Sequence, residues 1–167
     1  MSTHQNNELP KAMVFLNEKK IKYRLLPHHQ EAKTVALAVL ERGVKIEEMI
    51  KCILLKDTKN QYILACATGE AKLNIQSIRN YFKSFARLSF ASSEEIDIVL
   101  GYQQGSIAPF NLKNSIPIIL DDKIKNNTNV NISSGDPTLG LELNLDDFLS
   151  CLQNHTFGSI TNDKISS

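Results

Sequence analysis

At 167 residues, with 42% hydrophobic and 22% charged side chains, the chain has the size and composition of one globular domain with a real core. Its formal net charge of +1 excludes a protein that coats polyanions by bulk positive charge. The charge is uneven, with 11 basic and 7 acidic residues over positions 1–60 and 8 and 11 over the remainder, which leaves room for a local phosphate-binding face.

No apolar run reaches the length of a membrane span, and the polar start Met1–Glu8 is not a signal peptide, so a cytoplasmic protein without membrane attachment is expected. Cys52, Cys66 and Cys151 lie far apart with no ligand-like spacing, which reads as free thiols in a reducing compartment.

In chain order, Met1–Glu8 and Asn154–Ser167 read as polar, flexible ends around a domain spanning residues 9–153. Leu9–Ile21 carries Met13, Leu16 and Ile21 at near-helical spacing behind Pro10, a first-turn residue. Tyr23–Leu26 predicts a short strand, and Thr34–Arg42 a helix stopped by Gly43. Ile50–Lys56 and Gln61–Thr68 predict a hairpin through the polar turn Lys56–Asn60. Asn74–Phe82 reads as a helix and Ala86–Phe90 as a strand. Ser92–Leu100 is a helix opened by a capping box of Ser92 and Glu95. Ile116–Leu120, Asn129–Ile132 and Leu139–Leu143 predict strands, and Leu145–Leu152 a closing helix with Asp146 and Asp147 in its first turn. This irregular alternation predicts an α+β domain with a mixed central sheet, partly barrel-like, flanked by helices.

Three segments could carry chemistry. Lys51 interrupts an apolar strand and shares a face with Ile53 and Leu55, so it either meets an anion at the sheet edge or snorkels to solvent. The stretch from Gly101 to Phe110 holds Gly105, Ser106, Ile107, Ala108 and Pro109. It is a shaped loop without a strong nucleophile or base, so any work it does falls to backbone groups. Ser133, Ser134 and Gly135 precede a strand and read as turn chemistry or as a ligand-lining element. His28 and His29 have no partner at metal-ligand spacing, and Asp121-Asp122 reads as a strand end or a cap. No metal or cofactor is expected, and no Walker loop, Rossmann fingerprint or nucleophile elbow is present.

Together these segments resemble the YbaK/ProX family of aminoacyl-tRNA editing domains, similar to the insertion domain of bacterial prolyl-tRNA synthetases. The strand Ile50-Lys51-Cys52-Ile53-Leu54-Leu55 looks like the family's lysine strand. Gly101-Tyr102 followed by Gly105–Phe110 looks like its G-x-x-x-P loop, and Ser133-Ser134-Gly135 with Leu139–Leu143 looks like its last sheet segment. The resemblance runs from about Leu9 to Leu152.

It implies a free-standing trans-editing deacylase that hydrolyses the ester of a tRNA mischarged with alanine, serine, threonine or cysteine. The implied partners are the tRNA acceptor end and an aminoacyl-tRNA synthetase, with no DNA. By the same resemblance Lys51 holds the tRNA end and Gly101 offers its backbone to the substrate ammonium or to water. Gly105 and Ser106–Phe110 shape the amino-acid pocket, with Ser133, Ser134 and Gly135 lining it.

An aminoacyl ester is already activated, so orientation and backbone dipoles could supply the remaining acceleration, with steric exclusion giving specificity. The chain departs from the family pattern at Gly140, where many members are acidic, and at Asp136-Pro137-Thr138, where many carry a basic turn. The alternatives are a non-catalytic module that binds a tRNA end or a synthetase, and a small-molecule-binding domain of the same fold.

Overall fold

The computed structural model describes residues 8–27 and 44–162, so the predicted helix Thr34–Arg42 and the histidine pair lie outside the described residues. Helix α1 (Lys11–Glu18) opens at Pro10, whose fixed φ and missing donor suit a helix entry, and buries Ala12, Met13 and Leu16. It ends three residues before the predicted Ile21 because Lys20 turns to φ 58°. Strand β1 (Arg24–Pro27) follows, and after a short 3-10 turn (Ile46–Glu48) come β2 (Ile50–Asp57) and β3 (Tyr62–Thr68).

The hairpin between β2 and β3 turns on Asp57, a buried carboxylate. It accepts from the amides of Lys59 (2.9 Å), Gln61 (2.8 Å) and Ala86 (2.9 Å) and from the Gln61 side chain. Burial alone would raise its pKa, but these donors hold it below the usual carboxylate value.

Helix α2 (Ile75–Tyr81) is capped by Asn74, and β4 (Leu88–Phe90) is shorter than the predicted Ala86–Phe90 because the Ala86 amide goes to Asp57. Helix α3 (Ser93–Leu100) carries the reciprocal capping box of Ser92 and Glu95 that the sequence predicts. Strand β5 (Ile118–Asp121) leads into a 3-10 turn (Asp122–Asn126) capped by Asp121, then β6 (Asn129–Ser133), β7 (Leu139–Asn144), α4 (Leu145–Ser150) and β8 (His155–Gly158).

The strands form a five-stranded sheet of order β4-β2-β3-β5-β8 and a three-stranded sheet of order β1-β7-β6. The β3–β5 and β5–β8 pairs are parallel and the others antiparallel, so the domain is α+β with mixed pairing, as expected. The sheets meet at one corner through a parallel bridge between Met49 and Asn131 and do not close, which corrects the barrel-like expectation.

One face of the large sheet (Leu54, Leu64, Cys66, Ile118, Leu120) packs with Val130, Ile132, Leu141 and Leu143 of the small sheet and with α1, α3 and α4. The other face (Leu55, Ile63, Ala65, Ile119) is covered by Ile78 of α2, Phe85 and Ile160. The expectation of a flexible end from Asn154 is corrected as far as Asn162. Strand β8 pairs with β5, and Asp121 accepts from the Ile160 amide (3.1 Å) and the Thr161 hydroxyl (3.2 Å). An edge strand buries few side chains, so its polar composition conceals it.

Candidate functional site

The corner where the two sheets meet assembles the first part of the site. Alternation along β2 sends Cys52 into the core shared with Tyr102, while Lys51 points with Ile53 to the α2 side. The isolated Met49–Asn131 bridge brings β6 to the start of β2, two residues before Lys51. Ser133 is half-buried and paired with Gly140 of β7.

Lys51 Nζ donates to the Ala71 carbonyl. Burial lowers its pKa, with the Glu70 carboxylate pulling the other way. Asn131 is fully buried. Its Nδ2 donates to Glu48 Oε2 (3.3 Å), while its Oδ1 has no hydrogen-bond partner among the described residues. A buried acceptor left unpaired costs free energy, so this corner is poised to receive a donor.

The glycine loop starts from the C-terminus of α3. Gly101 takes the left-handed conformation (φ 74°) that ends the helix, and its N–H is spent on Asp97 O (2.9 Å). No described residue donates to its carbonyl. Tyr102 is buried and closes the loop by donating its hydroxyl to Phe110 O (2.7 Å), and burial pushes its pKa far up. Gly105, also left-handed at φ 83°, stands at the exposed tip with open space where a Cβ would lie.

Ser106, Ile107, Ala108, Pro109 and Phe110 turn inward and are buried, with Ile107, Ala108 and Phe110 part of the main core. Pro109 and Phe110 also line a cavity of about 200 Å³ with Phe15, Asn111, Ile116 and Cys151. None of Lys51, Gly101, Gly105 or Ser133–Gly135 lines it.

The Ser133–Gly135 turn reaches the loop from the other side. Ser134 is buried and occupied internally: its hydroxyl donates to Leu139 O (2.6 Å) and accepts from the Asp136 amide (3.0 Å). The missing Cβ of Gly135 would lie 3.5 Å from the Tyr102 ring and 3.5 Å from Lys11 N. The turn therefore touches Tyr102 directly, while Ser133 one step earlier pairs with Gly140 of β7. Gly105 stands apart from both contacts.

Sequence reasoning passed over Lys11 and Tyr102. Lys11 Nζ donates to Leu100 O (2.9 Å) and lies 4.7 Å from the centre of the Tyr102 ring. A lysine in the first turn of α1, with no acidic residue there, opposes the helix dipole, but nothing local in the sequence names its partner.

The family model described as the aminoacyl-tRNA editing domain matches residues 29–151. Among solved structures, the hypothetical protein APE2540 superposes with a TM-score of 0.80 at 20% identity, over 91% of this chain and 99% of that one. A candidate trans-editing enzyme for prolyl tRNA synthetase gives a TM-score of 0.79 at 17% identity, over 92% and 96%. A candidate signal transduction protein from Marinobacter aquaeolei VT8 contains the same fold as part of a longer chain, with a TM-score of 0.67 at 14% identity over 95% of this chain and 32% of that one.

Proposed function

Because this chain belongs to the aminoacyl-tRNA editing domain family, we propose that it is a trans-editing deacylase for tRNA mischarged with alanine, serine, threonine or cysteine. The observation that carries this reading is the half-buried Lys51 in an apolar strand, two residues from the corner where Met49 bridges to Asn131, whose Oδ1 is unpartnered among the described residues. Lys51 is half-buried and, among the described residues, hydrogen-bonds one backbone carbonyl, so a phosphate or ribose oxygen of the acceptor end can draw its ammonium away.

The Gly101 carbonyl, rather than its committed N–H, is the backbone group that meets the substrate ammonium. Gly105 and the buried Ser106–Phe110 segment shape the amino-acid pocket from the core side, and Ser133, Ser134 and Gly135 form its facing edge. Water adds to the acyl carbon, the bond to the ribose oxygen breaks, and the proton released by water ends on that oxygen. With the ester already activated, correct placement supplies much of the rate.

The test is a panel of tRNAs mischarged with each of the four amino acids. Release of at least one of them, above the spontaneous rate, is expected. A second reading, a module that binds the tRNA end or a synthetase without catalysis, is favoured by one observation: the Ser134 hydroxyl and the Gly101 N–H are already committed within the chain. Salt-dependent tRNA binding with no accelerated release from any member of the panel would establish that reading instead.

A further inference from the structure

Lys11 stands where four parts of the molecule meet. Its ammonium reaches Leu100 O (2.9 Å), the same carbonyl that accepts from the Lys113 amide (3.1 Å), so the C-terminal end of α3 is closed from two sides. A cation at this end also satisfies the helix dipole that it opposes in its own helix. The same Nζ lies against the Tyr102 ring face, a cation–π contact that strengthens as water is excluded.

A Cβ on Gly101 would come within 2.5 Å of Lys11 Nζ, so glycine serves twice there, for its φ of 74° and for the room it leaves the ammonium. The backbone completes the junction. Lys11 O accepts from Asn111 Nδ2 (3.1 Å) and the next amide, Ala12 N, donates to Ser134 O (3.0 Å).

We propose that Lys11 is the positioning residue of the editing site, a clasp through which α1 holds Gly101 and Tyr102 in register with Ser134 and Gly135. The proposal rests on the deacylase reading for its catalytic consequence only. Burial and the nearby Lys113 both disfavour the charged form of Lys11, and among the described residues the Leu100 carbonyl and the Tyr102 ring are what receives the charge. The ammonium is therefore retained at a cost, and what it secures is the Gly101 carbonyl facing the substrate.

Lys11→Met keeps the aliphatic stem and removes the donor and the charge. Backbone hydrogen exchange over residues 101–113 and 133–136 is expected to quicken about tenfold, the loss of one charge-assisted contact, while β3 and α2 keep their protection. On the mischarged tRNA that the wild type hydrolyses, kcat is expected to fall about tenfold with KM held within about threefold. Lys11→Gln, which can still donate to Leu100 O, is expected to recover part of both and serves if the methionine variant folds poorly.

Unchanged loop exchange, or quickened exchange with full kcat, overturns the clasp. A KM that falls in Lys11→Met also overturns it, since Lys11 would then be competing with the substrate ammonium. If the wild type releases no amino acid from any mischarged tRNA, the deacylase reading fails and loop exchange alone decides the clasp.

Discussion

Lys11 and Lys51 are near twins by local chemistry and opposites by setting. Each is half-buried, each donates to a backbone carbonyl, and burial lowers the pKa of each. Around Lys11 the further contacts among the described residues are internal: a helix end, an aromatic face and a like charge on Lys113. Around Lys51 the further groups are a carboxylate, Glu70, and, across the nearby Met49 bridge, Asn131 with its unpartnered Oδ1. A lysine whose valences are filled by the fold positions other groups. A lysine held by one carbonyl beside an unpaired acceptor is placed to meet a ligand.

The largest expected effect separates the two. Lys51→Ala should lower deacylation about 100-fold, the cost of misplacing a substrate end. Urea unfolding should change by less than about 1 kcal/mol, since the lysine's desolvation disappears with its hydrogen bond. A Lys51→Ala protein that turns over mischarged tRNA at the wild-type rate would break the comparison, because both lysines would then be structural.

Next in size come the glycines that flank this contrast. Gly101→Ala places a side chain in a left-handed conformation, a strain of about 1–2 kcal/mol, and pushes on Lys11 Nζ as well. Gly105→Ala meets the same backbone strain at φ 83° with nothing within 4 Å of the new methyl. Urea denaturation should therefore rank Gly101→Ala as the more destabilising, by up to about 1 kcal/mol. In the Lys11→Met background, where the ammonium is gone, the two should converge. Persistence of the full difference there would place its cause outside Lys11.

How much of this was legible in the sequence follows from which interactions are local. The Ser92–Glu95 capping box and the Asn74 start of α2 were readable because the donor and acceptor lie within one turn of each other. Strand β8 was not, because its partner β5 is 37 residues away at Ile118↔His155 and an edge strand needs little apolar content.

The run Ile107-Ala108-Pro109-Phe110 shows a different limit. Apolar residues that fill a core and apolar residues that face a ligand have the same composition, and only packing distinguishes them. Lys51 could be singled out because a charge in an apolar strand is anomalous. Lys11 could not, because its partner Leu100 is 89 residues away and contributes a carbonyl that every residue type carries.

The smallest effect tests the comparison most directly. Both lysines titrate below the ordinary 10.5 in the folded chain and return to it on unfolding. Between the folded pKa and 10.5 the unfolded chain binds more protons, so stability contributed by either lysine rises with pH in that window. Tyr102 works against this above pH 10, since burial raises its pKa and its contribution is lost as pH climbs. Following each lysine's ε-carbon by NMR avoids that overlap.

Glu70→Gln removes a carboxylate that favours charged Lys51, so the Lys51 midpoint should move further down. Lys113→Gln removes a like charge beside Lys11, so the Lys11 midpoint should move up. Opposite shifts follow only if one lysine faces an anion and the other a cation. Absence of both shifts would mean that both midpoints are governed by burial alone, and that the difference between a positioning and a ligand-meeting lysine lies outside their electrostatics.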